Sequence, residues 1–254
     1  MESTKQDVSS QALNRMASGL DFGNWSIREK IALSCNILAA EGHSETLAGQ
    51  ITVRQEDGTF LTTPLARGFD EIDANDVIRI DDQLKVLEGR GVPNPAIRFH
   101  LWVYRRRPEV NCIIHTHPPA VSTLSMTGQP LAIAHMDATP FHDDCAFLSE
   151  WPGLPIADQE GEIISEALGT KRTILLVSHG FLAATTSVEE SLYLSVLIER
   201  AARNQLQAMA AYGSLKLLDD ELARESHDFL LSSSVVRASF AMFARRVLRN
   251  RPQV

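Results

Sequence analysis

Three histidines offer the donor atoms of a metal site. His115 and His117 are separated by one residue and directly follow a short apolar run. Alternate residues of an extended segment share a face, so both imidazoles can reach one point at the end of a strand. His179 follows a second apolar run and precedes Gly180, whose missing Cβ permits a sharp turn. Three imidazoles with an open coordination position suit a catalytic divalent metal such as zinc or iron.

The composition places these histidines in a globular protein. The chain has 254 residues, 44% hydrophobic and 22% charged, with a formal net charge of -8. We predict no nucleic-acid partner, because phosphate binding needs clustered cations and the 105–107 arginine run reads as an exposed helix end. Three widely spaced cysteines do not indicate a disulfide framework. Without a signal core or an apolar membrane span, we expect a cytoplasmic protein with no membrane contact.

The periodicity divides the chain into three regions. Residues 1–25 are predicted to be a polar N-terminal arm with one short helix around Ala12 to Ala17. Residues 26–210 are predicted to form one α/β domain, which opens on a Ser-x-x-Glu capping box at Ser26. Residues 211–254 are predicted to be a helical C-terminal extension that packs on the same domain.

Within the central region, strands and helices alternate. Two antiparallel hairpins are predicted, the first around an Asp-Gly turn, and buried strands are predicted before each histidine segment. Residues 128–155 lack clear periodicity, and we interpret them as an ordered active-site or subunit-contact segment. The polar residues of this segment that could transfer a proton are His135, Asp137, His142 and Asp144.

Taken in order, these motifs resemble the class II aldolase and adducin family over residues 26–210. The matching residues are Arg98-Phe99-His100, Tyr104, Arg107-Pro108, His115-Thr116-His117-Pro118, His179-Gly180, Val188-Glu189-Glu190 and Glu199-Arg200-Ala201. The resemblance implies a three-layer α/β/α sandwich around a mostly antiparallel sheet. It also implies a homotetramer with active sites at subunit contacts.

The resemblance assigns a role to the histidines. In catalytic members of the family, the residues that match His115, His117 and His179 hold a divalent ion, which polarises a carbonyl and stabilises an enolate. We expect Zn²⁺ here, with Mn²⁺ or Fe²⁺ as alternatives. His100 is expected to support this site or to pack its helix, and His43 is expected at the surface.

Two departures from the family pattern argue against a sugar-phosphate substrate. The glutamate that serves sugar-phosphate aldolases as metal ligand or base is replaced by Ala96, whose methyl group can do neither. The phosphate loop is altered to Thr63-Pro64-Leu65-Ala66, which lacks the small and hydroxyl residues of the family. The next residue, Arg67, is either a carboxylate anchor or an ordinary exposed loop arginine.

These features predict a divalent-metal-dependent lyase that acts on a non-phosphorylated hydroxy or keto acid, or on an aromatic carboxylate. Retro-aldol cleavage and decarboxylation both fit, and decarboxylation needs mainly an electron sink. His135 and Asp137 are the candidate proton-transfer residues, with Arg67 as the candidate substrate anchor. One alternative is a non-heme iron oxygenase that uses the same three histidines. A second is a non-catalytic adducin-like interaction module.

Overall fold

A computed structural model describes residues 4–43 and 47–252 of the chain. Within them, eight strands form one sheet: β1 (Gln50–Arg54), β2 (Phe60–Thr62), β3 (Ile78–Ile80), β4 (Val86–Glu88), β5 (Cys112–Thr116), β6 (Cys145–Leu148), β7 (Thr173–Leu176) and β8 (Phe181–Thr185). Their spatial order is β4-β3-β2-β1-β5-β8-β7-β6. Neighbouring strands are antiparallel except β6 and β7, which are parallel. The predicted hairpins and the mostly antiparallel sheet are therefore confirmed.

Helices cover both faces of this sheet. They are α1 (Lys5–Gly19), α2 (Ile27–Ala40), α3 (Ile97–Arg106), α4 (Pro119–Met126), α5 (Asp158–Leu168), α6 (Val188–Tyr212), α7 (Asp220–Leu230) and α8 (Ser233–Asn250). Helices α3 and α5 pack with alternate sheet residues such as Ile113 on one face. Helices α2, α4, α6 and α8 share clusters with residues of the other face, including Ile114. The predicted three-layer α/β/α sandwich is confirmed.

Side-chain caps define where the main helices begin. The Ser26 hydroxyl accepts from the Glu29 amide while the Glu29 carboxylate accepts from the Ser26 amide, which is the predicted capping box. At α6, the Ser187 hydroxyl accepts from the Glu190 amide. These bonds satisfy amides that have no partner inside the helix, and α2 starts where the sequence indicated.

The N-terminal region is more helical than the sequence indicated, and the C-terminal extension contains helices α7 and α8. The helix predicted around residues 12–17 is too short, since α1 runs over 15 residues and starts with its own capping box between Thr4 and Asp7. In the C-terminal extension, Phe240 and Phe243 of α8 belong to the same buried cluster as Ile31 of α2. The extension thus shares the core of the sandwich. The boundaries at residues 25 and 210 stay predictions.

The segment 128–155 is also more regular than its sequence pattern. It contains a 3₁₀ helix over Met136–Phe141 and the edge strand β6. Strand β6 lacks a clear alternating pattern because it lies at the sheet edge, with only Ala146 of its four residues fully buried. Among the described residues, none of the helices is both long and apolar enough to cross a membrane.

Candidate metal centre

The three predicted histidines converge where β5 ends. His115 is the fourth residue of β5 and His117 lies just beyond the strand. Their Nε2 atoms are 3.0 Å apart. The His179 ring centroid lies 4.9 Å from that of His115 and 4.5 Å from that of His117. The prediction that these side chains meet at one point is confirmed.

Strand pairing brings His179 to the other two histidines. Thr116 pairs with Phe181 of β8, so the turn before β8 lies beside the end of β5. A Cβ atom at Gly180 would lie 2.5 Å from the Thr116 carbonyl oxygen and 2.6 Å from His117 Cδ2. The residue with left-handed backbone is Ser178, at φ 53°. Gly180 is therefore needed for close approach, and the expectation that it makes the sharp turn is wrong.

A backbone hydrogen bond fixes the orientation of His115. Its Nδ1 donates to the carbonyl oxygen of Phe181 over 2.7 Å. With the proton on Nδ1, the Nε2 atom carries the lone pair and faces His117 and His179. The ring also packs edge-on against Phe99, with centroids 4.9 Å apart. This arrangement is that of a metal-ligating imidazole with its orientation already set.

All three imidazoles are held neutral, which is the form that binds metals. Burial lowers the pKa of His115 well below its usual value, and the neighbouring His179 and His117 lower it further. Burial lowers the pKa of His117 and lowers that of His179 to about 4, with a smaller contribution from His117. Each ring therefore offers a lone pair at neutral pH.

The donor set fits a divalent ion. Nitrogens bound to one tetrahedral zinc at about 2.0–2.1 Å from it lie roughly 3.3 Å apart. The 3.0 Å between the two Nε2 atoms is close to that separation. One ligand atom from each of the three histidines lies within 4.8 Å of the other two. Small side-chain adjustments would bring all three onto one ion, and the cluster leaves a further coordination position.

Two more buried histidines stand around this cluster. His100 Nδ1 is hydrogen-bonded to the Thr52 hydroxyl at 2.9 Å. The His100 ring centroid lies 6.4 Å from that of His115. This supporting position agrees with the prediction. His43 was expected at the surface, which is wrong: it is 4% exposed, and its Nδ1 lies 2.8 Å from the Thr116 hydroxyl. The chain turns back after α2, since the His43 amide donates to the Leu38 carbonyl.

A pocket beside His43 is lined by several polar groups. The sequence did not predict that these groups lie together. Its lining includes His43, Gly49, Thr63, Arg67 and Asn94. His43 Nε2 is buried without a hydrogen-bond partner among the described residues. Arg67 bonds through Nη2 alone, to the Asp76 carboxylate and the Glu71 carbonyl. Arg67 lines the same pocket as His43, which contacts Thr116, and the linear sequence did not reveal this.

Gln50 is a second polar group near the cluster. It pairs directly with His115 across β1 and β5, and paired residues of neighbouring strands point to the same face. Its side chain is 3% exposed, and its Oε1 has no hydrogen-bond partner in the described part of the chain. A buried amide oxygen of this kind is free to bind a ligand.

The structure does not bring His135 and Asp137 to the three histidines of the same chain. Both are exposed, and the His135 side chain accepts from the Asp137 amide at the start of the 3₁₀ helix. No hydrogen bond or ion pair within residues 4–43 and 47–252 joins either to the cluster. His142 and Asp144 face α7 instead, through contacts with Asp220 and His227.

The chain combines an α/β/α sandwich with three neutral histidines at the end of one strand. Together these features define a class of protein that carries a candidate divalent-metal centre. The sequence profile of the Class II Aldolase and Adducin N-terminal domain matches residues 29–206. The chain belongs to the class II aldolase and adducin family.

Curated relatives include decarboxylases. The chain is 32% identical over 182 residues to the decarboxylase NovR of Streptomyces niveus, covering 70% of this chain and 67% of that protein. It is 31% identical over 182 residues to a 4-hydroxy-3-prenylphenylpyruvate oxygenase/4-hydroxy-3-prenylbenzoate synthase of Streptomyces roseochromogenus subsp. oscitans, covering 70% of this chain and 65% of that protein. It is 28% identical over 216 residues to a 3,4-dihydroxyphthalate decarboxylase of Arthrobacter keyseri, covering 79% and 86%.

Solved structures include an aldolase of the same fold. The L-fuculose 1-phosphate aldolase from Glaciozyma antarctica PI12 superposes with a TM-score of 0.80 at 26% identity, covering 89% of this chain and 90% of that one. The relatives therefore include proteins named as decarboxylases and as an aldolase, and this chain is an enzyme of the aldolase/decarboxylase type. This result disfavours the non-catalytic interaction module.

Proposed function

We propose that the enzyme removes CO₂ from a non-phosphorylated carboxylate, either an aromatic carboxylate or a hydroxy or keto acid. Retro-aldol cleavage of such an acid is the related reaction of the same site. The observation that carries the proposal is the three-histidine cluster, with Ala96 at the position where the resemblance expects a glutamate. A decarboxylation needs an electron sink first and a proton donor only after the bond has broken.

The residues around the pocket support a substrate without a phosphate. The 63–66 loop contributes Leu65 and Ala66 to the lining, where the resemblance expects a serine and a glycine. A Cβ at Gly49 would lie 2.7 Å from the Phe69 ring, so this side of the pocket is already filled by an aromatic side chain. These walls offer a phosphate dianion fewer small residues that it could approach closely.

Arg67 is the proposed anchor of the substrate carboxylate. Its guanidinium forms its described contacts through Nη2, which leaves the Nη1 and Nε donors for a ligand. The ion pair with Asp76 fixes the side chain beside the pocket, which reduces the entropy lost on binding. Asn94 and the unpartnered His43 Nε2 complete the polar lining.

His115, His117 and His179 would hold the divalent ion, with Zn²⁺ first and Mn²⁺ or Fe²⁺ as alternatives. A bound ion supplies the Lewis acidity that stabilises the negative charge left when CO₂ departs. Phe181 maintains the His115 tautomer, and Thr116, which lies between the two strand-end ligands, is held by His43. The rigid strand end keeps the donors in place before the substrate arrives.

His135 and Asp137 are the proposed proton-transfer pair. Because their own chain does not bring them to the histidines, this role requires that a second subunit supply them. The proposal therefore includes a cytoplasmic homotetramer with its active sites at subunit contacts. If the proton comes from water instead, His135→Ala will leave the rate of product formation unchanged.

Metal reconstitution with a substrate panel tests this function. The protein is stripped with a chelator, reloaded separately with Zn²⁺, Mn²⁺ and Fe²⁺, and assayed for CO₂ release from hydroxybenzoates, dihydroxyphthalates and aryl keto acids. We expect metal-dependent release from at least one carboxylate, and none after His179→Ala. Absence of release from every substrate with every metal would refute the proposal.

One observation favours a second candidate, an iron-dependent oxygenase. One of the relatives is named as an oxygenase that acts on an aryl pyruvate. A site without a carboxylate ligand leaves more positions for substrate and dioxygen. Oxygen uptake distinguishes the two: the lyase releases CO₂ under nitrogen, whereas the oxygenase consumes O₂ in proportion to substrate and is inactive without it.

A further inference from the structure

A second group of metal-binding side chains lies apart from the three histidines. It consists of His142, Asp143 and Asp220, one ligand atom of each lying within 4.8 Å of the other two. His142 and Asp143 follow the 3₁₀ helix, and Asp220 is the first residue of α7. We propose that this group is a second divalent-metal site that ties the C-terminal extension to the sandwich.

The state of His142 is the main support. The residue is 9% exposed, and its buried Nε2 has no hydrogen-bond partner among the described residues. This nitrogen nevertheless lies 3.2 Å from Asp220 Oδ1 and 3.8 Å from Asp143 Oδ2. The nearer contact has the distance of a hydrogen bond without its geometry. A buried imidazole nitrogen that lies within 4 Å of two carboxylates and is hydrogen-bonded to neither could take a metal ion as its partner.

The separations agree with a shared ion. Imidazole nitrogen and carboxylate oxygen bound to zinc at about 2.0–2.2 Å lie roughly 3.0–3.5 Å apart, depending on the coordination angle. The 3.2 Å between His142 and Asp220 falls in that range. The 3.8 Å to Asp143 needs a shift of only a few tenths of an ångström, which the 65% exposed Asp143 side chain would make by loosening its contact with Arg224.

Both carboxylates already have cationic neighbours. Arg224 lies 2.8 Å from Asp143 Oδ2 and 3.6 Å from Asp220 Oδ2, and the Lys171 ammonium donates to the Asp143 backbone carbonyl. Asp144, the next residue, is separately neutralised by Arg172 and His227. A divalent ion at this group would compete with Arg224 for both carboxylates. Arg224 is half exposed and can move aside.

An ion has access to this group. His142 and Asp220 line the same surface cleft, together with residues 129–133 and Gln205. One imidazole and two carboxylates suit Zn²⁺ and leave a position for water. The consequence is structural, because the ligands come from segments almost eighty residues apart and the ion would hold α7 against the 3₁₀ helix.

Zinc stoichiometry tests the site without any activity assay. Chelator-stripped protein is titrated with Zn²⁺ in competition with a coloured chelator. We expect two equivalents for the wild type, and one each for His142→Ala and Asp220→Asn. Asp220 is exposed, so Asp220→Asn keeps the fold even if His142→Ala does not. The matched control is Arg224→Gln, which removes a neighbour of both carboxylates that is not a ligand and should retain two equivalents.

A stability measurement separates this site from the first one. In His179→Ala, Zn²⁺ should raise the midpoint of thermal unfolding, because an ion that binds only the folded state stabilises it. In the double variant His179→Ala/Asp220→Asn, the same zinc concentration should have no effect. Equal zinc binding by wild type, His142→Ala and Asp220→Asn would show instead that these residues form an ordinary ion-pair network, and would overturn the proposal.

Discussion

Gly180→Ala should damage the metal centre although it adds only one methyl group. The new Cβ would lie 2.5 Å from the Thr116 carbonyl oxygen and 2.6 Å from His117 Cδ2. Ordinary contact requires the chain to open by roughly 0.5–0.9 Å at this point. Thr116 is held in the sheet, so the displacement falls on the His117 ring and on the turn that carries His179.

The magnitude of this effect follows from the overpacking. We expect a loss of about 1–3 kcal/mol in the free energy of unfolding. Zinc affinity should fall by about 10- to 100-fold, since a shift of this size displaces two of the three ligands. A ligand set misplaced by about 1 Å should reduce the rate of CO₂ release by about 10²-fold.

Urea unfolding and chelator competition measure the two effects. The matched control is Gly19→Ala, at the last residue of α1, where a Cβ meets nothing within 4 Å. That variant should keep wild-type zinc affinity. If Gly180→Ala binds zinc as the wild type does and is equally stable, the close approach of the β7–β8 turn to β5 is not what positions the site.

Three further variants test separate parts of the structure. Glu199→Ala should lower the free energy of unfolding in urea by about 3 kcal/mol, because the buried Glu199 carboxylate accepts from the Ala120 and Val121 amides at the start of α4. Glu199→Gln keeps one acceptor oxygen and should lose less. Arg67→Ala should raise KM for a carboxylate about tenfold and leave kcat unchanged if the residue anchors substrate. His227→Gln tests a pH effect. The hydrogen bond to Asp144 raises the pKa of His227 in the folded protein. The stabilisation of the fold by protonated His227 is therefore complete below pH 6.5 and is lost as the pH rises through the pKa of the folded state. Between about pH 6 and pH 8.5, the free energy of unfolding should therefore fall more for wild type than for His227→Gln. An equal fall in both would contradict the role given to the His227–Asp144 hydrogen bond.

The sequence was sufficient to predict that the three histidines converge, because local rules place them. Alternation along β5 puts His115 and His117 on one face, and His179 lies at the end of a buried strand. The fold followed from capping boxes, the Asp-Gly turn and the family resemblance. These signals depend on residues close together in the chain.

What the sequence missed depends on residues far apart in the chain. His43 is buried because the chain folds back after α2 and meets Thr116, and no local pattern indicates that contact. Strand β6 lacks alternation because it lies at the sheet edge beside β7. Helix α1 has no buried residues and therefore no apolar periodicity to detect, although its Thr4/Asp7 capping box was readable.

Metal dependence of the reaction tests the central claim most directly. Stripped wild-type protein and stripped His115→Ala are compared for CO₂ release under nitrogen, before and after addition of one equivalent of Zn²⁺, Mn²⁺ or Fe²⁺. We predict that one of these ions restores release in the wild type and that none does so in His115→Ala. Equal release by stripped and reloaded wild type, or by His115→Ala, would contradict a three-histidine metal centre as the site of catalysis.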